Sequence, residues 1–128
     1  MSGQKENPSK QQAPIAKLCD VLVQQAIYDG AGRVVVEPTA PIPPARIIYK
    51  QKGELDREVM SIPGNLREPL IARFKKMAGL DPTLQPQGFS LLRESFCVDH
   101  DGKQYGVTLT VQRMSGGERI ILDIAPVA

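Results

Sequence analysis

The only histidine of the chain, His100, lies between two carboxylates, and these three residues could in principle carry chemistry. Asp99, His100 and Asp101 are residue types found in hydrolytic triads and in metal sites. A catalytic base needs a fixed orientation, whereas adjacent residues of a tight turn point in different directions. No fourth metal ligand is evident. We therefore interpret the three residues as a solvated turn, and we expect no enzymatic activity, metal or cofactor.

A pair of glycines in the sequence Gly116-Gly117-Glu118-Arg119 is the nearest match to a phosphate-binding loop. The chain contains no Gly-x-x-x-x-Gly-Lys-Ser/Thr motif. Phosphate loops use the backbone N–H groups at the start of a helix, and this glycine pair lies between two predicted strands. We interpret it as a hairpin loop.

A helix predicted over residues 65–78 carries several cations on its polar side. Glu68 is the only residue that opposes them. Such a surface is typical of a solvated helix, and it is also suited to an acidic partner or an anion. No aromatic side chains for base stacking are interleaved, which argues against single-stranded nucleic acid. The candidate partner-contact residues are Arg67, Arg73, Lys75 and Lys76.

The composition limits the class of protein. The chain has 128 residues with 41% apolar residues and a net charge of +2, which fits one globular domain and argues against nucleic-acid binding. It has no apolar run of membrane-spanning length, so we expect no membrane insertion. Cys19 and Cys97 have no partner at metal-ligand spacing, and we expect a reduced cytoplasmic protein without a disulfide.

The first half of the sequence predicts a helix followed by strands. Residues 1–12 are polar and predict a disordered tail, which leaves a single domain over residues 13–128. A helix begins near Pro14, and Gly30 and Gly32 end it. Strands follow over residues 34–36, 46–50 and 55–62, with a proline-rich stretch at 38–44 and a turn at 52–53. The buried helix face is predicted to comprise Ile15, Leu18, Cys19, Leu22 and Ala26.

The second half predicts another helix and three strands. Asn65 is the expected N-cap of the helix over 65–78, and Gly79 ends it. Its core positions are predicted to be Leu66, Leu70, Phe74 and Met77. Residues 89–99 and 104–113 form a hairpin around Asp101-Gly102, and alternation at 120–124 predicts a final strand. The order predicts an α+β fold, with two helices on one face of an antiparallel sheet of five to six strands.

Residues 65–81 resemble a segment of a known family, the second N-terminal domain of type II secretion and type IV pilus-assembly ATPases. That family has a leucine-rich helix that ends in an Arg-x-Lys-x-Met-Ala-x-Leu-Asp string. The matching residues keep its order and spacing, and they are Arg73, Lys75, Met77, Ala78, Leu80 and Asp81.

Other segments resemble the same family in the same order, over about residues 14–125. The resemblance implies a PAS-like α+β domain that sits over an ATPase domain in a hexameric ring, with arginines that reach nucleotide phosphates. The family's phosphate-loop domain is absent from this sequence, which suits either a stand-alone degenerate copy or an excised piece. The additional matching segments are residues 25–38, 53–59, 84–88 and 117–121.

The chain departs from the family at most of the charged motif positions. Positions occupied by family arginines hold Ile48, Thr108 and Asp123, which cannot bind phosphate bidentately. Lys50 and Arg119 keep a positive charge and are candidate residual anion contacts.

The resemblance and its departures predict a non-catalytic interaction or scaffold domain. Its expected partner is a protein, either a secretion or pilus ATPase or a second copy of the chain. The alternative is a regulatory part of such an ATPase that contacts nucleotide bound on a neighbouring ATPase domain.

Overall fold

Two helices and six strands follow one another as two successive αβββ blocks. The computed structural model describes residues 6–38, 45–51 and 53–127, with side chains from residue 14 onward. The first block comprises α1 (Glu6–Tyr28), β1 (Arg33–Pro38), β2 (Ala45–Lys50) and β3 (Arg57–Ile62). The second comprises α2 (Gly64–Met77), β4 (Leu92–His100), β5 (Lys103–Met114) and β6 (Gly117–Pro126).

The six strands form one antiparallel sheet in the order β3-β2-β1-β6-β5-β4. Each block contributes a three-stranded meander, and the pairing of β1 with β6 joins the two meanders. This arrangement leaves β3 and β4 as the two edges of the sheet. The predicted α+β class, with two helices and a six-stranded antiparallel sheet, is confirmed.

One face of the sheet packs against both helices, and we call the other face the open face. Because side chains alternate along a strand, every second residue faces the helices. The helix-side strand residues are almost fully buried, and they include Val34, Val36, Ile47, Tyr49, Val107, Leu109, Val111, Ile120 and Leu122. The core therefore consists mainly of aliphatic side chains.

Helix α1 has the buried face that its periodicity predicts, but it starts earlier. It begins at Glu6 rather than near Pro14, so residues 6–12 of the predicted tail are helical, and residues 1–5 lie outside the described residues. Lys10, Gln11, Gln12 and Ala13, which precede Pro14, are residue types with high helix propensities. Gly30 ends the helix as predicted. The buried α1 residues are Ile15, Cys19, Leu22, Val23 and Ala26, with Leu18 packed beside them.

Helix α2 starts and ends close to the prediction, but its N-cap differs. Pro63 rather than Asn65 is the N-cap, and no side chain caps the first turn. The backbone is extended at Pro63, immediately before the first helical residue. The N–H of Leu66 donates a hydrogen bond to the Pro63 carbonyl. Gly79 ends the helix as predicted. Leu70 and Phe74 are fully buried, and Leu66 and Met77 pack against the core.

The β4–β5 hairpin has the turn that Asp101-Gly102 predicts. Asp101 has a φ of 52° and Gly102 a φ of 77°, and His100 pairs with Lys103 on either side of them. Positive φ at both central residues is the geometry of a two-residue turn that follows the strand twist. The turn therefore fixes the register of the whole hairpin.

Three strands begin two or three residues from their predicted starts, and parts of two predicted loops lie outside the described residues. β3 begins at Arg57 rather than at residue 55, and β4 begins at Leu92 rather than at residue 89. Leu55 and Phe89 are almost completely exposed, so neither supplies core contacts that would extend a strand. β6 begins at Gly117, before the predicted residue 120. Residues 39–44 and Lys52, parts of the predicted proline-rich stretch and turn, lie outside the described residues.

Candidate functional site

A cavity of about 630 Å³ lies between α2, the loop of residues 82–86 and the β5–β6 hairpin. We call it the α2 groove. Its apolar lining comes from both the helix and the loop, while arginines from α2 and β5 reach it from two sides. The apolar lining residues are Pro69, Ile71, Ala72, Pro82, Pro86 and Met114. A groove with an apolar lining and a few fixed polar groups is suited to ligand binding.

Arg67 is held in place at one end of this groove by the β5–β6 turn. Its Nη1 donates a hydrogen bond of 2.8 Å to the Gly116 carbonyl. A Cβ on Gly117 would lie only 3.1 Å from the Cζ and Nη1 atoms of Arg67, and the φ of Gly117 is +130°. The glycine thus leaves room for the guanidinium against the backbone. This packing reduces the freedom that Arg67 would lose on binding a ligand.

Lys75 crosses the base of the groove as a buried cation. Its side chain is 3% exposed. Its Nζ donates to the Leu84 carbonyl at 2.6 Å and to Oε1 of Glu118 at 2.9 Å. The Glu118 carboxylate therefore balances the charge of the ammonium. The two hydrogen bonds connect α2 to the following loop and to β6. Lys75 is a structural group rather than a surface contact.

The remaining charge in the groove is positive. Once Lys75 and Glu118 are paired, the charged lining residues left are Arg67, Arg113 and Glu68. Within the part of the chain that the structure describes, neither arginine forms a salt bridge. Arg113 comes from the end of β5 and pairs in register with Glu118. The α2 groove therefore offers two arginines and one glutamate beside an apolar lining.

The four basic residues predicted to form one contact surface are separated by the fold. Arg67 and Lys75 line the α2 groove, and Lys75 is buried, so its predicted position on an exposed polar side is wrong. Arg73 is half-buried, and its Nε has no hydrogen-bond partner among the described residues. Lys76 is exposed. The helical period is correct, but the pairing of Lys75 with Glu118 draws that cation inward.

Lys50 and Arg119, the candidate anion contacts, line one groove on the open face, with a volume of about 410 Å³. We call it the open-face groove. Lys50 pairs with Asp56 at 3.2 Å, measured from Nζ to Oδ2. Arg119 lies 3.6 Å from Glu37 and donates a hydrogen bond of 2.6 Å to Oε1 of Gln112. The structure brings the two cations to one surface and supplies each with a neighbouring carboxylate.

Glu37 contacts two arginines at the centre of the open-face groove. Its carboxylate accepts a hydrogen bond of 2.7 Å from Arg46 and also faces Arg119. The hydrogen bond from Arg46 to Glu37 is the main reason that the pKa of Arg46 is raised. Beneath these side chains, Val35 and Ile48 are buried although they lie on the open face. The arrangement is a network of surface ion pairs over an apolar patch.

His100 is held by α1 and is not a freely solvated turn residue, so that interpretation is corrected. Its Nδ1 lies 2.6 Å from Oε1 of Gln24, and Nε2 of Gln24 donates to the Asp99 carbonyl at 2.8 Å. The His100 side chain is 17% exposed, whereas that of Asp101 is 89% exposed. Gln24 thus bridges α1 to the end of β4. The sequence pattern contained no signal for this long-range contact.

The two cysteines occupy different environments and are both free. Cys19 is fully buried on α1, and burial raises the pKa of its thiol to about 12. Cys97 is exposed on β4. Within the described ranges, no cluster of three or more His, Cys, Asp or Glu residues is placed to hold a metal ion. No described helix is both long and apolar enough to cross a membrane.

Compared with known protein families and with curated proteins, the sequence gives no match. Five of the six residues that carry the resemblance at the end of α2 and in its exit loop have a structural role in this fold. Lys75 forms the buried salt bridge, Ala78 is buried at the end of the helix, and Met77 and Leu80 pack against the core. Asp81 accepts hydrogen bonds from the backbone and hydroxyl of Thr83. These roles maintain the helix and its exit loop.

Sequence reasoning missed most of the α2 groove. The sequence patterns predict Arg113, Gly117 and Glu118 only as parts of strands and a hairpin loop. In the fold, the tight turn at 115–116 brings these residues beside α2. The available signal was the hairpin itself, because its register places Arg113 opposite Glu118. The contact of that hairpin with α2 depends on tertiary packing, which no local pattern encodes.

Proposed function

We propose that this chain is a non-catalytic protein-interaction domain whose α2 groove binds an acidic, partly apolar segment of a partner protein. The observation that carries the proposal is the placement of Arg67 and Arg113 beside an apolar lining, without acidic partners among the described residues. An arginine can bind a carboxylate through two parallel hydrogen bonds. The apolar lining supplies the area that a short peptide needs for affinity.

The partner class follows from the sequence resemblance and is part of the same proposal. The domain is related to the N-terminal domain of type II and type IV secretion ATPases, and its partner belongs to that machinery. The support is the string of matching residues from Arg73 to Asp81, which covers the end of α2 and its exit loop. Of these residues, Lys75 lines the groove. The structural roles of those residues are consistent with a shared fold.

The alternative function, contact with nucleotide bound on a neighbouring ATPase domain, would use Lys50 and Arg119. Their position in one groove favours it, but Asp56 and Glu37 compete with a phosphate for both cations. Calorimetric titration of the domain with ATP separates the two functions. We expect no binding in the micromolar range, and micromolar binding would contradict the interaction proposal.

A display library of random peptides provides the direct test of the α2 groove. Selection on the wild-type domain is expected to enrich peptides with Asp or Glu next to apolar residues. Selection on an Arg67→Gln/Arg113→Gln variant should lose that enrichment, because the carboxylate would lack both guanidinium groups. A Lys76→Gln variant is the matched control, since Lys76 is an exposed cation of α2 that does not line the groove. Equal enrichment on all three proteins would refute the proposal.

A further inference from the structure

Strand β4 forms one edge of the sheet, and among the described residues it pairs with no strand other than β5. The side-chain amide of Gln24 on α1 reaches this edge at the Asp99 carbonyl. The nine residues of β4 pair with β5 without a bulge, from Leu92 opposite Val111 to His100 opposite Lys103. The strand contains no proline. A long and regular edge is a template for a further strand, and proteins that stay monomeric usually block such edges.

The opposite edge of the sheet shows this kind of protection. β3 has six residues, and its pairing with β2 is interrupted by a register shift between Ile47 and Ile48. Arg57 and Glu58 on β3 also pair with Asp29 and Arg46 of the same chain. A short edge with a bulge and intramolecular ion pairs is a poor template. The two edges therefore differ in their capacity to pair.

The hairpin turn determines which residues of β4 point their backbone groups outward. In a two-residue turn the flanking residues, His100 and Lys103, form a hydrogen-bonded pair. Inward and outward residues alternate from there in an antiparallel ladder. The Asp99 carbonyl, which accepts from Gln24 rather than from β5, agrees with this alternation. The outward set is Arg93, Ser95, Cys97 and Asp99.

We propose that β4 pairs with β4 of a second copy of this chain, antiparallel and with the two-fold axis at Phe96. This register overlaps all nine residues of both strands. It places Arg93 opposite the partner's Asp99, and Asp99 opposite the partner's Arg93. It also places Ser95 opposite the partner's Cys97. A two-fold interface uses the same patch on both subunits, so each of these contacts occurs twice.

In this register, the charged residues of one β4 strand face residues of opposite charge on the β4 strand of the second copy. Arg93 and Asp99 form no salt bridge within the described part of the chain. Their intramolecular contacts are to neutral groups, with Arg93 3.4 Å from the Thr110 hydroxyl and Asp99 accepting from Gln104 at 2.9 Å. Opposite charges on directly facing residues stabilise a strand pair. On the helix side, two partly buried Phe96 rings meet at the axis.

The backbone of β4 can complete the same pairing. Outward residues of one copy face outward residues of the other, so their N–H and C=O groups can exchange hydrogen bonds. The Asp99 carbonyl already accepts a hydrogen bond from Gln24, but a carbonyl oxygen has a second lone pair. The contact with Gln24 is therefore compatible with the second copy.

Charge exchange on β4 tests this dimer by sedimentation equilibrium. We expect the wild type at twice the chain mass of 14.0 kDa, and Arg93→Asp and Asp99→Arg each at 14.0 kDa, because like charges would face each other. The double variant Arg93→Asp/Asp99→Arg should dimerise again. An equimolar mixture of the two single variants should form a heterodimer. A monomeric wild type, or single variants that stay dimeric, would overturn the proposal.

A cysteine at position 95 tests the register. Residues that face each other across such a pair have Cα atoms about 5.5 Å apart, within disulfide range. Air oxidation of Ser95→Cys should therefore link the new thiol to the partner's Cys97, giving a covalent dimer on a non-reducing gel. The wild type should give none. A wild-type dimer linked through Cys97 alone, or no link in Ser95→Cys, would overturn this register.

The proposed dimer does not depend on the proposed function. Two further variants distinguish a failure of the dimer proposal from a failure of the peptide-binding proposal. Arg113→Asp should lose the peptides selected on the α2 groove and remain a dimer. Arg93→Asp should keep those peptides and become a monomer. A change of oligomeric state in Arg113→Asp would show that the β4 edge is not the interface.

Discussion

Lys75 on α2 and Glu118 on β6 form a salt bridge of 2.9 Å in which the lysine side chain is 3% exposed and the glutamate 20% exposed. This difference in exposure predicts unequal costs of removing either partner. Glu118→Ala leaves a buried ammonium without its counterion, which should cost about 3 kcal/mol of unfolding free energy. Lys75→Met leaves a carboxylate that water can still reach, and should cost about 1–2 kcal/mol.

Urea unfolding of the two single variants and the double variant measures these costs. Because both residues belong to one interaction, the double variant should be no less stable than Glu118→Ala. Equal destabilisation by the two single substitutions would contradict the structural role assigned to Lys75. Circular dichroism of the native state checks that all variants keep the fold.

Tyr49 should make the folded protein sensitive to alkaline pH. Its hydroxyl donates a hydrogen bond of 2.7 Å to the Leu22 carbonyl, and burial raises its pKa from 10.0 to about 12. Because the folded pKa is the higher one, the stabilisation is complete below pH 10 and is lost as pH rises through 12. Tyr49→Phe should cost about 1 kcal/mol at neutral pH.

The difference between wild type and Tyr49→Phe across the pH range is the informative measurement. The free energy of unfolding of the wild type should fall more steeply between pH 10 and 12 than that of the variant. Buried Cys19, with its own pKa raised to about 12, contributes to the fall in both proteins. Parallel pH profiles would contradict the assignment to Tyr49.

Much of the fold follows from local patterns in the sequence. The apolar period of α1 identifies the buried face around Cys19 and Leu22, because the 3.6-residue repeat directly determines which side chains share a face. The Asp101-Gly102 pair specifies a turn that few other dipeptides can form. These signals depend on only a few neighbouring residues, so they can be recognised in the sequence before the tertiary structure is known.

The candidate site depends on contacts that local patterns do not contain. The sequence predicts an exposed Lys75, because unpaired lysines avoid the protein interior. Its partner Glu118 is 43 residues away in the sequence, so no local pattern indicates the pair. His100 reads as a solvated turn residue because Gln24, which binds it, is 76 residues away. In both cases a long-range partner reverses the expectation from residue type.

The two thiols should differ in reactivity in the native protein. Cys19 is fully buried with a raised pKa, whereas Cys97 is exposed. Since the thiolate is the reactive form, an aromatic disulfide reagent at pH 8 should label one thiol rapidly in native protein and two in urea. Cys97→Ser should abolish the rapid labelling, and Cys19→Ser should leave it unchanged. Rapid labelling of two native thiols would mean that α1 opens readily.

Removing the carboxylate of Glu37 should turn the open-face groove into an anion site. Glu37 pairs with Arg46 at 2.7 Å and faces Arg119 at 3.6 Å, so Glu37→Gln removes the carboxylate that the two guanidinium groups share. Among the described residues, Arg46 then keeps only its 3.3 Å salt bridge with Glu58. Pyrophosphate, titrated calorimetrically at low salt, should bind this variant about tenfold more tightly than the wild type, equivalent to about 1.4 kcal/mol.

Glu94→Gln is the control for that measurement, because it changes the net charge equally and Glu94, an exposed residue of β4, lines neither the open-face groove nor the α2 groove. Its affinity for pyrophosphate should match that of the wild type. An equal gain in both variants would point to net charge alone, and no gain in Glu37→Gln would show that Arg46 and Arg119 cannot converge on one anion. A gain specific to Glu37→Gln would show that the Glu37 carboxylate, by pairing with Arg46 and Arg119, prevents these two arginines from binding phosphate in the wild type.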